Sequence, residues 1–257
     1  MKVLTRNVLV GCCIILLLTC NENNTNIDNV SKPKTSVKSV SKNHASANIS
    51  LFTLLPPEET GIHFVNQLQS SEDFNIMTYE YAYNGSGVAI GDINNDGLPD
   101  IYMAGNFMAN KLFLNKGNLK FQDITATSGI ASQGYTSGVS MADVNGDGLL
   151  DIYVCRTSTL PEAFRQNKLY INNGDLTFTE RANEYKVASI AFSTQAYFLD
   201  YDHDNDLDMY LLNHRFDFKN AQHVKLERDP KTKQLRLAKP KIHPLVTDRL
   251  FRNENGK

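Results

Sequence analysis

"DINNDGLPDIY", residues 92–102, decides the fold because the chain writes it again. "DVNGDGLLDIY" occupies 143–153 and "DYDHDNDLDMY" occupies 200–210, so Asp92, Asp143 and Asp200 recur 51 and 57 residues apart. In each copy, acidic or amide side chains alternate with other residues, and an apolar, strand-like run follows at once. A period of about 40–50 residues holding several short strands marks the blades of a propeller.

The flanks repeat with the loop. "SGVAIGD", "SGVSMAD" and "TQAYFLD" come before it, and "IYMAG", "IYVCR" and "MYLLN" come after. "NKLFLNKGNLKF" (110–121) and "NKLYINNGDLTF" (167–178) then read as paired strands around an Asn/Gly turn, and a third copy begins at "DRLFRNENGK". Each unit supplies about four antiparallel strands, the content of one blade. Short apolar runs broken by Gly, Asn and Asp, without sustained helical periodicity, place residues 51–257 in the all-β class as an incomplete β-propeller of about three and a half blades.

The loops carry the chemistry. Positions 1, 3, 5 and 9 are Asp92, Asn94, Asp96 and Asp100 in the first, Asp143, Asn145, Asp147 and Asp151 in the second, and Asp200, Asp202, Asp204 and Asp208 in the third. All are oxygen donors, and the position 7 carbonyls of Leu98, Leu149 and Asp206 add one more each. Calcium takes about six to eight oxygens in a tolerant geometry, so these sets suit it. Gly97 and Gly148 supply a sharp turn at position 6, where the third loop has Asn205, a residue that enters the left-handed region more readily than most. An EF-hand is excluded, because its twelfth-position Glu is replaced by Met103, Val154 and Leu211. Metal-free Asx turns favour the same residue types, but they would leave three or four negative charges crowded without compensation.

The pattern D-x-[DN]-x-D-G-x-x-D after "G-x-x-x-x-D", followed by "N-x-L-[FY]-x-N-x-G-x-x-x-F", resembles the FG-GAP or VCBS repeat of integrin α-subunit propellers and of bacterial cartilage acidic protein-like proteins. "TGIHFVN" (60–66) is similar to the opening of the bacterial group. The resemblance covers about residues 51–257 and implies one structural calcium per blade at the loop residues named above, up to three sites. It also implies about seven blades for closure, so the chain is expected to be the N-terminal part of a longer protein; the C-terminal ASPIC/UnbV-type domain that often accompanies these repeats is missing.

The first residues point to export. Lys2 and Arg6 precede "VLVGCCIILLL", an apolar run of eleven residues, too short for a stable span of about 20. "LLTC", ending at Cys20, resembles a bacterial lipobox, so residues 1–19 are expected to be a lipoprotein signal peptide and Cys20 the lipidated residue, with an ordinary signal peptide or an uncleaved anchor as alternatives. Residues 20–50, rich in Asn, Ser and Lys, read as a flexible tether. Loss of residues 1–19 takes Lys2 and Arg6 and changes the net charge from −2 to −4. Cys12 and Cys13 leave too, so Cys155 is the one remaining thiol beside Cys20 and no disulfide framework is expected.

A near-neutral balance and pI of about 6.3 argue against nucleic-acid binding. Residues 214–247 form a basic insertion with nine Lys/Arg against three acids, read as a solvated hairpin or loop, or as a partner-binding insertion. The leading functional expectation is a bacterial outer-membrane or cell-surface lipoprotein, a calcium-binding, non-catalytic adhesion module for an extracellular protein or glycan. The alternative is a calcium-dependent polysaccharide-degrading enzyme, whose base would come from His63, His203, His214, His223 or His243, or from a tyrosine; no pair of these has a catalytic spacing.

Overall fold

The computed structural model describes residues 51–159, 161–214, 226–237 and 244–254. The expected signal peptide, Cys20, the tether, His223 and His243 lie outside the described residues, as does part of the basic insertion.

Two four-stranded antiparallel sheets and one of three strands follow one another along the chain. The first blade holds β1 (Val88–Gly91), β2 (Asp100–Met103), β3 (Lys111–Asn115) and β4 (Phe121–Asp123), paired in that order. The second holds β5 (Thr136–Ala142), β6 (Asp151–Arg156), β7 (Lys168–Asn172) and β8 (Phe178–Glu180). The third holds β9 (Ser193–Leu199), β10 (Asp208–Asn213) and β13 (Arg249–Phe251), the last supplied by "DRLF". Between β10 and β13, β11 (Leu226–Arg228) and β12 (Leu235–Leu237) form a separate hairpin inside the basic stretch.

The strand pleat explains how blades stack. Successive side chains of β6 point to opposite faces: Ile152 and Val154 join the core shared with the first blade, while Tyr153 and Cys155 join the core shared with the third. In β7 the same division sends Tyr170 one way and Leu169 and Ile171 the other. A sheet covered on both faces must be apolar on both, which is why β6 is buried along its whole length. The outer faces differ: Val88 and Ile90 of the first blade and Tyr197, Leu199 and Leu250 of the third are exposed.

The inner strands approach closely. A Cβ on Gly87 would lie 2.7 Å from the Val139 nitrogen, so the "SGV" of β1 tolerates no side chain there. Ser86 Oγ donates to Thr136 O at 2.9 Å and Ser137 Oγ donates to Ser193 O at 2.7 Å, tying each blade to the next.

Short helical turns also occur where the sequence pointed only to strands. The turns α1 (Pro57–Thr60) and α2 (Thr125–Ser128) each end in a left-handed glycine, Gly61 at φ 80° and Gly129 at φ 77°. Gly61 abuts the Phe121 carbonyl of β4, and Gly129 abuts the Phe178 carbonyl of β8, so "TGI" and "SGI" mark one docking device used twice. A third turn, α3 (Glu162–Arg165), lies between β6 and β7. Four residues make barely one turn, too few to write a 3.6-residue period.

Candidate metal loops

Each acidic loop joins the first strand of a blade to the second, and the loops are built alike. Asp92 accepts from the N–H groups of Asn94, Asp96 and Gly97, the last at 2.7 Å. Asp143 accepts from Gly146, Asp147 and Gly148, and Asp200 from Asp204 and Asn205. The first carboxylate thus curls the loop around itself. Two residues per loop take positive φ to allow it: Asn95 and Gly97, Gly146 and Gly148, His203 and Asn205. The turn at position 6 was readable from sequence; the one at position 4 was not, because Asn, Gly and His share no chemical label there.

The ninth aspartate does a second job. Asp100, Asp151 and Asp208 are fully buried. One oxygen of each accepts from the second loop residue, Ile93, Val144 or Tyr201, at 3.0 Å. The other accepts from the third strand or its end, Asn115, Asn172 or Asn253, at 2.7–2.8 Å. Carboxylate oxygens have about four lone-pair sites between them, so capacity for a cation remains. The asparagines were missed in the sequence reading although they align as the Asn of "LFLN", "LYIN" and "LFRN". Their side chains also cross between blades: Asn172 Nδ2 donates to Ile93 O, and Asn253 Nδ2 donates to Val144 O.

Electrostatics separate the loops. Burial, then the nearby Asp147 and Asp143 charges, push Asp151 up to about 6 against the hydrogen bonds from Asn172 and Val144. Asp100 is raised for the same reasons, burial first. At Asp92, burial is outweighed by backbone N–H groups led by Gly97, and the carboxyl is lowered. A cation within the loop would favour the ionised form of every one of these groups.

In the third loop, Asp200, Asp202 and Asp208 present oxygens within 4.8 Å of one another, a set that could hold a metal ion. Asn94 and Asn145 replace Asp202 in the other two loops, and each donates its amide to the fifth-position carboxylate, Asp96 or Asp147. The third loop differs again at its rim. Arg252 takes the place of buried Leu114 and Ile171, and its guanidinium lies 3.0 Å from Asp202 Oδ2 and 3.7 Å from Asp204 Oδ2. Among the described residues, no ion pair reaches the carboxylates of the first two loops.

The histidines are scattered. His203 sits exposed inside the third loop at φ 64°, His63 is exposed near α1, and His214 is half-buried just after β10. None of the three lies beside another. His214 instead belongs to a polar triangle at the opposite ends of the strands, with Tyr79 Oη and Thr157 Oγ1 at 3.1 and 3.0 Å from its Nε2.

The position 12 residues Met103, Val154 and Leu211 lie inside β2, β6 and β10, a placement no EF-hand has. Residues 92–154, from the first loop to the strand after the second, match the FG-GAP-like repeat. The chain is 28% identical over 179 residues to cartilage acidic protein 1 of Xenopus tropicalis, covering 66% of this chain and 26% of that protein. It is 29% identical over 135 residues to cartilage acidic protein 1 of Mus musculus, covering 50% of this chain and 20% of that protein. The chain therefore spans about a quarter or less of the length of these curated relatives.

Proposed function

We propose that this FG-GAP-like repeat protein is an exported, lipid-anchored binding module whose three acidic loops each hold a structural calcium ion. The observation that carries this reading is the unpaired charge of the first two loops. Each gathers three carboxylates around one turn, and no described cationic side chain meets them. Crowding two further carboxylates against a fully buried ninth aspartate without a cation is costly, and an oxygen-loving cation removes the cost at both loops by the same geometry.

The ion in this reading holds each loop closed and fixes the strand ends; it activates no water. The exposed surfaces of the blades then meet an extracellular protein or glycan. An enzyme reading would need a base beside a substrate site near the metal; of the described histidines only His203 lies in a loop, exposed between two ligand positions.

Thermal melting of the full chain in calcium, in chelator, and in magnesium tests the proposal. A calcium-specific rise in melting temperature supports it. Melting indifferent to calcium returns the loops to plain Asx turns.

A further inference from the structure

The two cores between blades are built from the same repeat positions, and one of them is missing a side chain. Ile93, Tyr102, Leu112, Ile152 and Tyr170 in the first core recur as Val144, Tyr153, Leu169, Met209 and Phe251 in the second. Phe178 of the fourth strand, β8, plugs the first core. The second core has no counterpart among the described residues, where the third blade consists of β9, β10 and β13 with β13 at its edge. A cavity of about 60 Å³ lies there, lined by those five recurring residues and by Val187 and other largely apolar side chains. One water needs only about 10–15 Å³. The cavity shares Tyr185, Phe251 and Arg252 with a groove of about 830 Å³ that is also lined by Leu250 and Glu254.

The chain carries one more strand of the plugging kind. "FTL" (52–54) precedes "TGI" as "FQD" (121–123) precedes "SGI", with Phe52 nine residues ahead of Gly61 and Phe121 eight ahead of Gly129. Gly129, after the fourth strand of the first blade, seats on the Phe178 carbonyl of the second, and Gly61 seats on the Phe121 carbonyl of the first. "FTL" therefore has the place of a fourth strand in a blade stacked ahead of the first. Phe52 is 90% exposed and Leu54 95%. The sheet faces match. Exposed Val88 and Ile90 hold the positions of Val139 and Met141, which pack toward the first blade, while exposed Leu199 and Leu250 hold those of Ala142 and Leu169, buried toward the third. The first blade thus presents a face and a plug, and the third a face and a socket.

We propose that the third blade of this chain binds the first blade of a second copy, with Phe52 of one copy seated in the cavity of the other. Asn115 pairs with Phe121 and Asn172 with Phe178, so the same register sets Phe52 opposite Asn253 at the outer side of β13. Open strand edges and exposed apolar faces are surfaces on which another chain pairs. The plug comes from the second copy because Gly61 holds Phe52 at the first blade of its own copy, whereas the cavity lies between the second and third. A face that differs from its partner face makes a head-to-tail contact, and two such contacts close a ring of two chains. That ring has six blades, within the range of about 4–8 that propellers show. The inference concerns the 257-residue chain and depends neither on the metal loops nor on the binding-module reading.

The test is sedimentation equilibrium of the full chain in calcium, for the native protein and for Phe52→Ser. The native chain is a dimer with Kd of about 10 µM or tighter, and Phe52→Ser weakens it by about tenfold or more. Because Phe52 is exposed within one copy, the substitution leaves the fold of the single chain intact. A second measurement places the contact: p-benzoylphenylalanine in place of Phe52, irradiated in an equal mixture of light and heavy isotope-labelled chains, joins light chains to heavy ones at Tyr185, Val187 or Phe251. The proposal is overturned if the chain stays monomeric at about 100 µM, if it forms assemblies larger than two chains, if Phe52→Ser associates as the native chain does, or if the cross-links fall within single chains or outside the cavity.

Discussion

The second and third acidic loops begin from the same pattern and settle their charge differently. The second has Asp143, Asp147 and Asp151 with a neutral Asn145, and a buried Ile171 packs behind it. The third has aspartates at all five odd positions from 200 to 208, and Arg252 reaches over from the position of Ile171 to pair with two of them. More acid came with an internal counter-ion. Among the described residues no cationic side chain lies at the rim of the second loop, whereas at the third the half-exposed Arg252 lies across two carboxylates.

Removing calcium gives the largest effect expected from this comparison. Extracellular calcium loops bind at about 0.1–1 mM, so about 10 mM calcium adds about 1.4–2.7 kcal/mol per occupied site. Chelator therefore lowers the melting temperature of the chain, with the third loop contributing least because an ion there must displace Arg252 from Asp202 and Asp204.

Next come the ninth aspartates. Asp151→Ala strands the N–H groups of buried Val144 and Asn172, each worth about 1–3 kcal/mol when left unsatisfied, for a total of about 4 kcal/mol. Asp208→Ala strands those of Tyr201 and Asn253, which water can reach, and costs about half as much. Urea unfolding in chelator measures both without the metal; equal losses would mean that the two blades are equally closed.

Arg252→Leu restores the residue type of the other blades. The ion pairs are exposed to water and contribute little to stability. The substitution lowers stability slightly in chelator and increases the gain on adding calcium, a crossing of sign that melts in the two conditions would reveal.

The smallest effect is at position 6. Asn205 stands at φ 74° where the first two loops have glycine at 84°. Asn205→Gly relieves the left-handed backbone and raises stability by about 0.5 kcal/mol, read as a shift in the urea midpoint.

Much of this was legible because blades repeat. The first strands, the acidic loops and the "NKLF" and "NKLY" hairpins announce themselves by recurrence, and the unbroken apolar run within "DIYVCR" carries the information that both faces are covered. Devices without a repeating residue type stayed hidden. The helical turns before Gly61 and Gly129 are too short for a period, and the left-handed position 4 is filled by Asn95, Gly146 or His203. The polar triangle was invisible for another reason: Tyr79, Thr157 and His214 are separated by 57 to 135 residues and meet only because the segment before β1 packs against the ends of β6 and β10.

The measurement that bears most directly on the loops as metal staples is a count of calcium bound per chain by equilibrium dialysis, for the native protein and for Arg252→Leu. The account predicts three ions at saturation, two alike and one weaker, with the weaker one tightening in Arg252→Leu. Fewer than one ion per chain at millimolar calcium, or three identical sites unmoved by the substitution, would contradict it.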